Sequence, residues 1–254
     1  MSKKVLVEHG RLLDVLGVEV ELLVDASSGA RPDARVPAVP GLTLAETVRH
    51  VGSVYRMVVA WLRTGERPTE WQREPARGEP VQQYLRESYA ELAEELARRD
   101  PHEPAGTWWP EDTTAGFWRR RMAHETTVHR TDVESAAEKD VTEVAEDVAV
   151  DGIDEVLTLW YGHRLGVLGV SGTRAGTVGI SVGDRHWMTR AGPSATAAWR
   201  ADADEVAGAD ARVTGTAMRL YLWLWGRVPT GAVTTEGDED AVAQLWALLR
   251  LATR

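Results

Sequence analysis

Between residues 118 and 136 the side chains Trp118, Met122, Glu125, His129, Asp132 and Ala136 recur at alternating spacings of four and three. That spacing traces one face of an α-helix aimed into the core of a bundle. Three of the six members are ionisable, where a bundle ordinarily places Leu. Burying such groups without partners costs several kcal/mol each, so any fold of this chain must bring compensating groups to them. The opposite face carries Arg120, Thr127, Thr131, Glu134 and Glu138 and is expected to be solvated.

Three further segments have helical periodicity. Residues 5–25, rich in Leu and Val, read as a first helix, and the Pro- and Gly-bearing stretch from Asp25 to Pro40 as a long loop. Thr43 with Glu46 three residues on forms a capping box that opens a second helix running to about Arg63. Pro68, Pro75 and Gly78 interrupt the pattern. A third helix then places Val81, Tyr84, Leu85, Ser88, Tyr89, Leu92 and Leu96 on one stripe, and Thr113 or Thr114 caps the fourth, Ala115 to Glu138. These segments predict an all-α N-terminal four-helix bundle over residues 1–140.

An acidic linker is expected over 141–152 and a small α+β C-terminal domain over 153–254. In that domain Asp154–Arg164, Thr216–Trp225 and Asp240–Leu251 look helical. Gly176–Val182, His186–Arg190, Ala195–Arg200 and Ala209–Thr214 are short, Gly-punctuated strand candidates. The run Gly166, Gly169, Gly172, Gly176 lacks the Gly-Lys-Ser/Thr ending of a phosphate loop, which argues against nucleotide binding.

With 39 acidic against 29 basic residues the net charge is −10, which argues against a nucleic-acid partner. Lys3 and Lys4 are followed too soon by Glu8, His9 and Arg11 for a signal peptide, and no apolar run reaches membrane-spanning length. A soluble, cytoplasmic monomer or homodimer without a membrane partner is expected. The chain has no cysteine, which removes disulfides, thiolate-ligated zinc and a cysteine nucleophile together. Any thiol chemistry must use a thiol from outside.

Glu125 and His129 leave their helix about 40° apart and one turn displaced, close enough to converge on a single ion. His124 lies five residues from His129, on a flank. On the second helix His50 projects in the direction of Thr43, Thr47, Val54, Met57 and Trp61, towards the core. A lone inward histidine is commonly a hydrogen-bonded core residue, and Glu125 with His129 taken alone reads equally as an ordinary helix pair. Taken together, His50, Glu125 and His129 supply three N/O ligands and leave a fourth position open, the pattern of a catalytic rather than a structural zinc site. Zinc fits this donor set best, with nickel and iron(II) the alternatives. Asp132, one turn beyond His129, is placed to accept that ligand's other ring N–H.

Two segments carry a family resemblance: Val36 to Gly52 (VPAVPGLTLAETVRHVG) and Arg121 to Asp132 (RMAHETTVHRTD). They resemble the mycothiol-dependent maleylpyruvate isomerase family, whose N-terminal domain is a metal-binding bundle of the DinB-like type. The segment Val213 to Arg227 (VTGTAMRLYLWLWGR) is similar to that family's α+β second domain. The resemblance implies zinc at His50, Glu125 and His129, and a low-molecular-weight thiol, mycothiol, as cofactor. It implies an enzyme that isomerises or conjugates a small electrophilic unsaturated substrate. The alternatives are a mycothiol S-transferase of detoxification or natural-product assembly, and a non-catalytic metal- or ligand-binding protein.

Arg227 follows the Trp223, Trp225, Gly226 run at an expected helix end. It reads either as a helix C-terminal cap or as a catalytic and cofactor-binding residue whose guanidinium donates a forked pair of hydrogen bonds to a carboxylate.

Overall fold

The computed structural model describes residues 6–253, so Lys3, Lys4 and the expected helix start at Val5 lie outside the described residues. The chain separates into two compact units, one ending at Glu143 and the other beginning at Val144.

The first unit contains four helices: α1 (His9–Ser27), α2 (Leu44–Thr64), α3 (Val81–Ala97) and α4 (Ala115–Ala136). The Thr43 hydroxyl accepts from the Glu46 N–H at 3.3 Å, and the Thr43 N–H donates to the Glu46 carboxylate at 2.8 Å. This closed capping box stabilises the start of α2 by about 1 kcal/mol. At its other end Gly65 adopts φ 79°, a left-handed conformation that glycine takes without a Cβ penalty. On α3 Tyr84, Leu85, Ser88, Leu92 and Leu96 are buried, as the periodicity predicts, while Val81 and Tyr89 of the same stripe are only partly covered. Thr114 precedes α4 in extended conformation, but its hydroxyl turns to the Asp112 carboxylate instead of capping the helix.

The expectation of a solvated face on α4 is corrected. Arg120, Thr127, Thr131 and Glu134 are buried, and of the five residues only Glu138 is exposed. Part of the cause is non-local: the chain after α4 folds back over the Glu134 end of that face. Glu134 accepts from the backbone N–H and hydroxyl of Thr142, and Arg130 donates to the Thr142 carbonyl. Arg130, fully buried, also pairs with Glu134 and with Glu19 of α1, both at 2.7 Å. Thr127 and Thr131 hydroxyls return to backbone carbonyls of their own helix. His124 is also fully buried.

The second unit opens with α5 (Glu146–Glu155), continuing into a π-helical segment (Val156–Arg164) and a turn, α6 (Leu165–Val167). Helix α5 occupies much of the stretch read as a linker. Its acids Glu146 and Asp147 sit in the first turn, where the helix dipole favours them, while Val148, Ala149 and Ile153 are buried. A five-stranded mixed sheet follows, built from β1 (Gly176–Val182), β2 (Arg185–Ala191), β3 (Thr196–Ala201), β4 (Ala211–Thr214) and β5 (Thr234–Gly237). The spatial order is β3-β2-β1-β4-β5, with β1 and β4 parallel and the other pairs antiparallel. Helices α7 (Ala203–Ala207), α8 (Ala217–Leu224) and α9 (Glu239–Ala252) complete the unit. An all-α bundle followed by a small mixed-sheet domain is thus the fold. No helix among the described residues is long and apolar enough to cross a membrane.

Candidate metal centre

Helices α2 and α4 pack together and bring His50, Glu125 and His129 to one point. One potential ligand atom from each lies within 4.8 Å of the other two. The Nε2 atoms of His50 and His129 are both 3.3 Å from Oε1 of Glu125, and the two imidazole centroids are 5.1 Å apart. The three side chains are only partly covered, at 27%, 16% and 13% exposure for His50, Glu125 and His129, so the cluster is reachable from outside its unit.

The remaining polar atoms of this group are engaged in ways that fix its orientation. Nδ1 of His129 lies 3.1 Å from Oδ2 of Asp132, one turn further along α4. Oε2 of Glu125 accepts from Arg121 at 2.8 Å, one turn earlier. Each ligand candidate on α4 is therefore held at its far side, leaving Oε1 of Glu125 and Nε2 of His129 directed at the common point. Trp71, from the loop between α2 and α3, meets His50 edge-to-face at 5.8 Å.

Electrostatics follow from this packing. Burial alone would lower the His129 pKa, but its hydrogen bonds to Asp132 and Glu125 outweigh burial and raise it to about 9. Burial alone would raise Glu125, yet the hydrogen bonds and charges of His129, His50 and Arg121 hold it well below its ordinary value. The two carboxylates call for positive charge at this point, and a proton on His129 or a metal ion meets that demand. The donor set, two imidazole nitrogens and one carboxylate oxygen with their outer atoms anchored, fits a divalent cation.

Arg121 and Trp71 belong to the site but do not stand out in the sequence analysis. Arg121 had a legible signal, an Arg at i−4 from a glutamate on the same helix face. Trp71 had none, since it reaches His50 from a loop.

Arg227 lies in the second unit, just past α8. Gly226 has φ 72°, its N–H donates to the Trp223 carbonyl at 2.9 Å, and the Arg227 N–H donates to the Leu222 carbonyl at 2.7 Å. This is a Schellman closure of α8 made by the backbone alone. The Arg227 guanidinium donates to the Trp225 carbonyl at 2.6 Å and lies 6.0 Å from the Trp225 ring centre.

Comparison with known proteins agrees with this architecture. Residues 13–134 match the mycothiol maleylpyruvate isomerase N-terminal domain, and residues 147–244 match the C-terminal domain of the same family. Among solved structures the chain is similar to the crystal structure of the mycothiol-dependent maleylpyruvate isomerase, with 15% identity and a TM-score of 0.61. The match covers 91% of this chain and 95% of that one. A histidine-to-alanine mutant of that enzyme matches over the same shares at 15% identity and a TM-score of 0.60. No curated protein matches the sequence.

Proposed function

Since the chain belongs to the mycothiol maleylpyruvate isomerase family, carrying both of its domains in order, we propose that it is a cytoplasmic, metal- and thiol-dependent enzyme acting on a small electrophilic unsaturated substrate. His50, Glu125 and His129 would hold the divalent ion, zinc by preference, and mycothiol or a similar small thiol would be the cofactor. The observation that carries this reading is the convergence of those three side chains at one partly open point, in a chain without a cysteine of its own.

A bound cation would favour the thiolate over the thiol, whose ordinary pKa leaves only a small fraction ionised at neutral pH. Held there, the thiol would supply a nucleophile able to add reversibly to an activated double bond, so that its later departure would leave an isomer with the thiol regenerated. Protonation in place of that departure gives a conjugate. The chain's own residues orient and enclose. Asp132 fixes the His129 ring, Arg121 fixes the Glu125 carboxylate, and Trp71 covers one edge of His50. Arg227 is assigned to binding the thiol cofactor, whose amide carbonyls and hydroxyls are acceptors for a guanidinium.

Turnover of an unsaturated electrophile in rigorously thiol-free buffer, compared with buffer containing thiol, tests the reading. Strict dependence on thiol with many turnovers per chain is expected. Undiminished turnover without thiol would point to attack by metal-bound hydroxide. Stoichiometric retention of the electrophile without turnover would identify a binding protein.

A further inference from the structure

Helix α9 places Trp246 and Arg250 four residues apart, with the Arg250 guanidinium 5.0 Å from the Trp246 ring centre. One N–H of Arg250 donates to the Leu224 carbonyl at the end of α8. Its Nε and Nη1 atoms are buried and have no acceptor among the described residues, and the same holds for Nε1 of Trp246. A Cβ at position 226 would overlap the Arg250 guanidinium, so Gly226 is what lets that group lie across the end of α8, directly before Arg227.

Buried arginines elsewhere are met by acids or, for Arg119, by the backbone carbonyls of Leu96 and Arg99. Arg130 has Glu19 and Glu134, and in the second unit the partly exposed Arg200 has the buried Asp154 at 2.6 Å. Arg250 has no carboxylate within ion-pairing distance among the described residues, and the charge acting on it is the positive one of Arg227. Burial first, and Arg227 second, push its pKa down to about 10. Stacking on Trp246 and the bond to Leu224 account for the guanidinium's position. They leave its charge uncompensated and three buried N–H donors unmatched.

We propose that Arg250 and Trp246, beside Arg227, form a binding site for the carboxylate of a small organic ligand within the C-terminal unit. A carboxylate supplies what this corner lacks, a negative charge and acceptor oxygens for N–H groups that have none. The Trp246 and Trp225 rings, lying against the two guanidiniums, favour an anion with an apolar body over a strongly hydrated inorganic one. The site rests on the placement of Arg250 and Trp246 and needs neither metal nor thiol.

Benzoate titrated into the full chain, followed through the indole N–H resonances, tests the site. The Trp246 signal is identified by its disappearance in Trp246→Phe. That signal is expected to shift saturably in the native chain. Arg250→Met should weaken the apparent affinity at least tenfold, and Arg250→Lys, which keeps charge and bulk, should weaken it less. Three results would overturn the proposal: a Trp246 signal that does not move, one that moves equally in Arg250→Met and native protein, or one that inorganic phosphate moves as strongly as benzoate. If Arg250→Met does not fold, a native affinity unchanged in Arg250→Lys would overturn it too. Binding lost in Arg227→Met but intact in Arg250→Met would leave the role of Arg227 standing and remove that of Arg250.

Discussion

Nδ1 of His129 lies 3.1 Å from Oδ2 of Asp132, whose side chain is fully shielded from solvent. A buried carboxylate in this place fixes both the tautomer and the ring orientation of the imidazole, so that Nε2 is the atom presented to Glu125 and His50. Asp132 thus sets the geometry of the centre from one helical turn away, without itself reaching the common point.

Asp132→Asn should therefore weaken divalent-metal affinity by roughly ten- to a hundredfold, as expected when the hydrogen-bond partner of a metal-ligating imidazole is altered. Competition against a chromogenic chelator measures this directly. An affinity equal to that of the native chain would show that Asp132 serves packing alone.

Arg227→Met separates two roles for that guanidinium. The α8 closure uses the Arg227 backbone N–H and survives the substitution, while the bond to the Trp225 carbonyl does not. With a cofactor-binding role, the apparent KM for thiol rises at least tenfold while metal content and Tm stay near their native values. Normal thiol binding with a lowered Tm would mean that Arg227 only finishes the helix.

Acid should weaken the first unit in a defined window through Glu95. Its side chain is 1% exposed and accepts from Arg63 at 2.9 Å, from Arg99 at 2.8 Å and from Arg98. Burial would raise its pKa, but these hydrogen bonds outweigh burial and lower it from 4.5 to about 2. A folded-state pKa below the unfolded value means stabilisation that is full above about pH 4.5 and is lost as pH falls towards about 2. With Arg63 and Arg98 half exposed, the contribution is on the order of 2 kcal/mol. Denaturant unfolding of Glu95→Gln should show that deficit at pH 7 and a shrinking one below pH 4. A deficit independent of pH would contradict the assignment.

Much of the bundle was legible because its determinants are local. The Thr43–Glu46 box, the α3 stripe and the α4 seam are patterns a few residues long, and the spacing of Glu125 and His129 is itself a statement of geometry. The strand β1 was readable to its ends from its short, β-branched and Gly-punctuated composition. What escaped depends on distant chain. The Glu134 end of the polar side of α4 is buried where residues up to Thr142 return over it, an event unmarked in the helix's own sequence. Strand β5, Thr234–Gly237, is exposed along its length and has no alternation to betray it. The π-helical turn at Val156–Arg164 has helical spacing in sequence and differs only in its hydrogen-bond step.

The central claim is that His50, Glu125 and His129 together hold one divalent ion. Metal analysis of protein grown with zinc, alongside His50→Ala, Glu125→Gln and His129→Ala, tests it most directly. About one ion per native chain is expected, with His129→Ala losing it because two remaining ligands are too few, and the other two variants behaving alike. Native protein without an ion, or variants that retain a full complement, would contradict the account.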